Sequence, residues 1–111
     1  MLVTAIIALY YLWNLVMAKT ACASHILVKN QKIANKLKQS LDKGESFAVL
    51  AKKHSTCPSA KKGGDVGEFK KGDMVKQFDQ AVFQNGSEDQ DYLGPIKTRF
   101  GYHLIQVLYK G

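Results

Sequence analysis

Two histidines stand out because the residues around them are apolar. His25 lies in CASHILVK and His103 in GYHLIQVL. A histidine in such a strand is neutral near pH 7 and can donate from one ring nitrogen while accepting at the other, which suits a hydrogen-bonded chain. Taken alone, each is more often a satisfied structural residue than a functional one. The cysteines, Cys22 and Cys57, are 35 positions apart, and neither belongs to a CxxC or paired Cys/His spacing that would mark a zinc site. A metal centre built from His25, His103, Cys57 and Cys22 would make stability depend on the metal, so that a chelator unfolds the chain. Free thiols of this kind fit a reducing compartment better than a disulfide-built scaffold. Met74 and Phe78, four apart, share one face of any helix drawn through them, where core packing is the ordinary role. Gly63-Gly64 reads as a turn and is too short for a phosphate loop.

These residues need elements to hold them. In residues 22–29 Ala23, His25 and Leu27 alternate with Ser24, Ile26 and Val28, the pattern of a buried strand. Residues 31–43 place Ile33, Leu37 and Leu41 four apart between lysines and stop at Gly44, an amphipathic helix. Ser46 caps a second helix through His54 with Phe47, Leu50 and Ala51 inward. A loop-rich stretch follows around a short strand, Val66 to Phe69. Met74, Val75, Phe78, Val82 and Phe83 recur at helical spacing, so a third helix is predicted over 74–83. Residues 84–91 are polar and read as a surface loop. The end of the chain gives two strands joined by a turn at Thr98–Gly101, with His103, Ile105, Val107 and Tyr109 on one face. Helices gathered among few strands argue for an α+β fold around a small antiparallel sheet.

The segment before this pattern is different. Residues 1–18 carry no charged side chain, and IIALYYLWNLV is nearly continuous apolar sequence. It is at the short end of a membrane span, and as a signal peptide it lacks a charged n-region. Residues 1–16 therefore read as an apolar extension, either a membrane segment or a start assigned too early, and 17–111 as one folded domain. If the segment inserts, Lys19, Lys29 and Lys32 hold the domain on the cytoplasmic side.

The 111 residues suffice for one domain with one modest core. With 46% hydrophobic and 23% charged residues the chain is neither disordered nor fibrous. The net charge of +7 comes from scattered lysine pairs with a single arginine, Arg99, which is not the dense basic stripe or Arg-fork pattern of a nucleic-acid binder.

Phe47-Ala-Val-Leu-Ala51, Ser55, Ser59 and Gly63-Gly-Asp-Val-Gly67, in that order and with these gaps, resemble the signature of the parvulin rotamases, a family of peptidyl-prolyl cis/trans isomerases. His25-Ile-Leu-Val-Lys29, the Met74/Phe78 pair and Gly101-Tyr-His103 agree with it, so the resemblance covers about residues 18–110. Met17-Ala-Lys-Thr resembles the opening of the small stand-alone bacterial members. The resemblance implies a parvulin-like fold, a four-stranded antiparallel sheet surrounded by about four helices. It also implies a monomer needing no cofactor or metal that assists protein folding in the cytoplasm, or at the inner membrane if residues 1–16 anchor it. Its partners would be proline-containing polypeptides rather than nucleic acid. The site so implied has His25, Cys57, Thr98 and His103 as its polar centre, and Met74, Phe78 and Phe100 with Val66 behind them as the proline pocket. The phosphate-directed branch carries an arginine-rich loop after the first strand. Here Lys29-Asn-Gln-Lys32 leads directly into the helix, which implies no strict phosphoserine-proline preference.

Overall fold

The computed structural model describes residues 19–86 and 92–111, with residues 5, 6, 8 and 9. The readings of residues 1–16 as anchor or early start, and the far part of the 84–91 loop, lie largely outside the described residues. Among the described residues no helix is long and apolar enough to cross a membrane.

The chain order is β1 (Thr20–Val28), α1 (Gln31–Asp42), α2 (Phe47–His54), a 3-10 turn (Pro58–Lys62), β2 (Asp65–Lys70), α3 (Lys76–Gln80), a single π turn (Ala81–Asn85), β3 (Leu93–Thr98) and β4 (Gly101–Lys110). The strands form one antiparallel sheet in the order β2-β1-β4-β3. The expected α+β fold and four-stranded sheet are therefore present. The expected count of about four helices becomes three α-helices among the described residues. Between Pro58 and Gly63 the chain has room only for one tight 3-10 turn.

Alternation along β1 gives the sheet two apolar faces. Ala21 and Ala23 point with Ile105 and Val107 toward Phe69, Phe78, Val82 and Phe83. Ile26 and Val28 point with Leu104 toward the buried faces of α1 and α2. Each of the larger side chains contributes about 1.5–3 kcal/mol when fully withdrawn from water, and each alanine methyl about 0.8 kcal/mol, so the central pair β1/β4 is the most strongly held part. Local signals start the helices: the Asn30 side chain accepts from Lys32 N at 2.7 Å, and Ser46 Oγ from Val49 N at 3.3 Å.

Three details differ from the sequence expectation. On α1 the buried stripe is Ala34, Leu37 and Leu41, whereas Ile33 is 46% exposed. At about 100° per residue a strict four-residue spacing drifts by about 40° each step, so the i, i+3, i+7 set holds the core side. Met74 and Val75 precede α3 instead of lying on it, because Val75 is the extended cap residue. Tyr109 leaves the face of His103, Ile105 and Val107. Cys22 pairs with Tyr109 but Ala23 with Val107, so Leu108 is an extra residue and everything after it changes side. Tyr109 Oη then donates to Glu68 Oε2 at 2.8 Å, on the side of Cys22. That carboxylate, with burial second, pushes the phenol up to about 12.

The glycine pair after the 3-10 turn places the loop against β1. Gly63 (φ 69°) ends the turn in the left-handed region. Gly64 (φ 90°) brings its carbonyl to accept from His25 N at 2.9 Å. A methyl group at Gly64 would stand 2.5 Å from the His25 carbonyl oxygen and 3.1 Å from Ala51 Cβ. Gly64→Ala is therefore expected to cost about 2 kcal/mol or more through strain and steric displacement, read as a lowered urea midpoint with unchanged slope.

Candidate functional site

His25 and His103 stand on neighbouring central strands, with Leu27 directly opposite His103 and Ile105 opposite His25. This diagonal places the rings 5.2 Å apart, nearly parallel at 26°, with His25 Nδ1 and His103 Nδ1 sharing a hydrogen bond at 3.1 Å. His103 Nε2 in turn shares one with Thr98 Oγ1 at 2.7 Å. Phe100 N donates to the same hydroxyl at 3.2 Å, closing the Arg99-Phe100 turn between β3 and β4. All three polar side chains are buried.

Counting donors assigns the tautomers. The Thr98 hydroxyl already accepts from Phe100 N, so it is fully used if it donates to His103 Nε2. His103 Nδ1–H then donates to His25 Nδ1, and His25 carries its proton on Nε2. That nitrogen is buried and has no partner among the described residues. The reverse assignment would orphan two groups, the hydroxyl proton and the His25 lone pair. The chain thus runs Thr98 to His103 to His25 with its dipoles aligned and its positive end at His25 Nε2. Both histidines are held neutral. Burial, and secondly the His103 ring, lower His25 to about 4, and burial lowers His103.

Phe78 fixes both rings. It is 1% exposed and meets His25 and His103 edge to face at 5.6 Å each. Over this floor opens a cleft of about 430 Å³. His25, His103 and Phe78 line its base, with Leu27 beside them. Met74, Val75 and Asp73 line one wall, Thr56, Cys57 and Pro58 another, and Arg99 and Phe100 the rim. Phe100 is half exposed.

The wall carrying Cys57 is tied to β1. Ser55 Oγ accepts from Leu27 N at 3.1 Å and from Cys57 N at 3.3 Å, and Thr56 N donates to the Leu27 carbonyl at 2.8 Å. Ser55 thus occupies the place of a strand partner where β2 has ended.

Of the residues singled out in the sequence, His25, Cys57, Met74, Phe78, Phe100 and His103 line the cleft. Thr98 and Val66 do not. Thr98 reaches the cleft only through His103, and Val66 packs against the core cluster that contains Phe78. Cys22 is free, as is Cys57, and lies on the far face of β1. Leu27, Thr56, Pro58, Asp73, Val75 and Arg99 also line the cleft and were not among the expected site residues. The alternation of Leu27 with His25 was a usable signal for the first. Val75 was read as part of a helical pattern without a site role, and the others arrive from loops with no periodicity to read.

The model of the rotamase family, the PPIC-type PPIase domain, matches residues 18–108. The foldase protein PrsA of Geobacillus kaustophilus is 51% identical over 87 residues, covering 77% of this chain and 30% of that protein. The chain thus spans about three-tenths of the length of this relative. A crystal structure of the peptidylprolyl isomerase PrsA from Bacillus anthracis superimposes with a TM-score of 0.76 at 35% identity, covering 85% of this chain and 43% of that one. The parvulin NmPin of Nitrosopumilus maritimus superimposes with a TM-score of 0.70 at 42% identity, covering 81% of this chain and 96% of its own. With nearly the whole described domain accounted for by the family model and by a whole parvulin, the chain belongs to the parvulin-type peptidyl-prolyl cis/trans isomerases.

Proposed function

We propose that the cleft above the His25/His103 pair is where X-Pro bonds of polypeptides are twisted, without a covalent intermediate and without a required phosphate. The observation that carries this reading is the neutral Thr98–His103–His25 chain buried directly beneath an apolar cleft of about 430 Å³. Rotation about an X-Pro bond breaks nothing; it only removes the C–N double-bond character that makes the bond slow. A planar amide is more polar than a twisted one, so a dry apolar surface favours the twisted form. Met74, Phe78 and Phe100 supply that surface for the pyrrolidine ring, with the methionine adapting to its outline. When resonance is lost, a lone pair localises on the prolyl nitrogen, and the positive end of the aligned chain at His25 favours it. Thr98 acts through His103 as a positioning residue. Cys57, at the wall, stands as an electronegative neighbour of the substrate carbonyl and forms no bond to it, since no acyl intermediate is needed. The chain works as a monomer assisting protein folding. Its two free thiols support the cytoplasm as its place, or the inner-membrane surface if residues 1–16 insert.

Relaxation of a short X-Pro peptide from cis to trans tests this. The full chain should accelerate it, Met74→Ala should lower kcat/KM about 5- to 30-fold through lost contact of about 1–2 kcal/mol, and Cys57→Ala should keep at least a tenth of the activity. A Cys57→Ala variant that is folded and wholly inactive would sink the non-covalent reading.

The histidine pair sets the pH dependence. kcat/KM should be level from pH 8 to about pH 5 and fall as His25 takes a proton near 4. An unfolded histidine titrates near 6.5, so between these values the unfolded chain binds a proton that the folded one refuses. Stability is therefore full above about pH 6.5 and falls on acidification, by about 2 kcal/mol from His25 alone at pH 5. Urea titrations at pH 7 and 5 should show this, with His25→Asn flattening the difference.

A further inference from the structure

The cleft does not end at Arg99. It continues into a second concavity of about 350 Å³ lined by Val75, Lys76, Gln77 and Arg99, with Val75 and Arg99 belonging to both. At that border a mostly apolar lining that includes Asp73 gives way to two cations and an amide beside Val75. The Arg99 guanidinium carbon lies 4.8 Å from the centroid of the Phe100 ring, so the cation is seated on the rim of the prolyl cleft. Lys76 is exposed on the opposite side, at the start of α3.

The two acids closest in sequence to Lys76 are held by backbone amides, and one of them, Asp73, also lines the prolyl cleft. Asp73 Oδ2 accepts from Lys70 N at 2.9 Å, and Asp79 Oδ1 accepts from Gly72 N at 2.7 Å, so both carboxylates hold the turn that leads into Met74. Among the described residues the ion pair present is Lys38–Asp42, on the outside of α1, and neither Lys76 nor Arg99 takes part in one. Two cations without acidic partners thus flank a concavity that opens from the prolyl cleft.

Resting on the reading of that cleft as the prolyl site, we infer that Lys76 and Arg99 form a subsite for a carboxylate side chain of the substrate. The chain then prefers polypeptides with Asp or Glu within two residues of the isomerised proline. An extended peptide advances about 3.3–3.6 Å per residue, so a carboxylate one or two positions away reaches the second concavity while the prolyl ring stays over Phe78. Arg99 offers a planar fork and Lys76 a mobile point charge, a pair suited to one carboxylate oxygen each. Exposed pairs of this kind are worth roughly 1.4- to 5-fold apiece, which makes this a preference rather than a requirement.

The test uses the full chain with matched short peptides carrying Glu, Ala or Lys at each of the two positions before and after proline. It reads both kcat/KM for isomerisation and equilibrium binding by fluorescence anisotropy. At low salt the best Glu peptide should exceed its Ala counterpart about three- to tenfold, with Lys below Ala, and the ratio should approach one near 1 M salt, where charges are screened beyond about 3 Å. Lys76→Gln and Arg99→Gln should each lower the Glu-to-Ala ratio about two- to threefold, and the double variant Lys76→Glu with Arg99→Glu should favour Lys over Glu. A Glu-to-Ala ratio near one in the parent chain, or one unchanged by the double reversal, would overturn the subsite. Failure to accelerate even the Ala peptide while folded would instead overturn the isomerase reading, and the binding ratio would still decide the subsite.

Discussion

Everything about the site depends on two buried imidazoles touching on adjacent strands. Two neutral histidines can share one hydrogen bond at 3.1 Å; two imidazolium ions cannot, and even one charge there would lack water around it. The contact therefore demands burial, a fixed tautomer, and a third partner to take up the remaining nitrogen of His103. Thr98 meets the last demand because the tight turn after it brings β3 alongside β4. Phe78 meets the first by closing both rings edge-on. The division of the core follows: α1 and α2 cover the other face of the sheet, leaving this face open to the short α3 and the residues before it.

Much of this could be read from the chain. The alternation around His25 placed it on a buried strand, and Ser46 and Gly44 marked helix ends that the structure keeps. What could not be read depended on register or on distant backbone. The single extra residue Leu108 sends Tyr109 to the opposite face, and no local pattern announces a bulge. Helical spacing joined Met74 to Phe78, although Met74 stands before the helix and reaches the same cleft by an extended approach. Val66 packs behind Phe78, as the resemblance implied. The approach of Arg99 to Lys76 arises where a turn and a helix start meet across the fold.

The same physics explains the uneven distribution of polar groups. The interior offers little solvation, so Thr98, His103 and His25 satisfy one another; among the described residues His25 Nε2 and Ser59 Oγ are the buried side-chain atoms left without a partner. The lysines lie outside and carry the +7 charge at small desolvation cost. Among the described residues, Asp73 and Asp79 near the cleft are tied into backbone turns rather than ion-paired with Lys76 or Arg99.

The way β1 is bonded along its outer side has a consequence for a protein whose partners are polypeptides. From Thr20 to Ser24 that side is paired by β2; beyond it, Gly64, Ser55 and Thr56 take over its amides and carbonyls. Along this side of β1, therefore, the described residues leave no row of bare backbone groups for an extended client to join as a further strand. A chain held here by its proline ring is not also offered the backbone of β1, and can let go again.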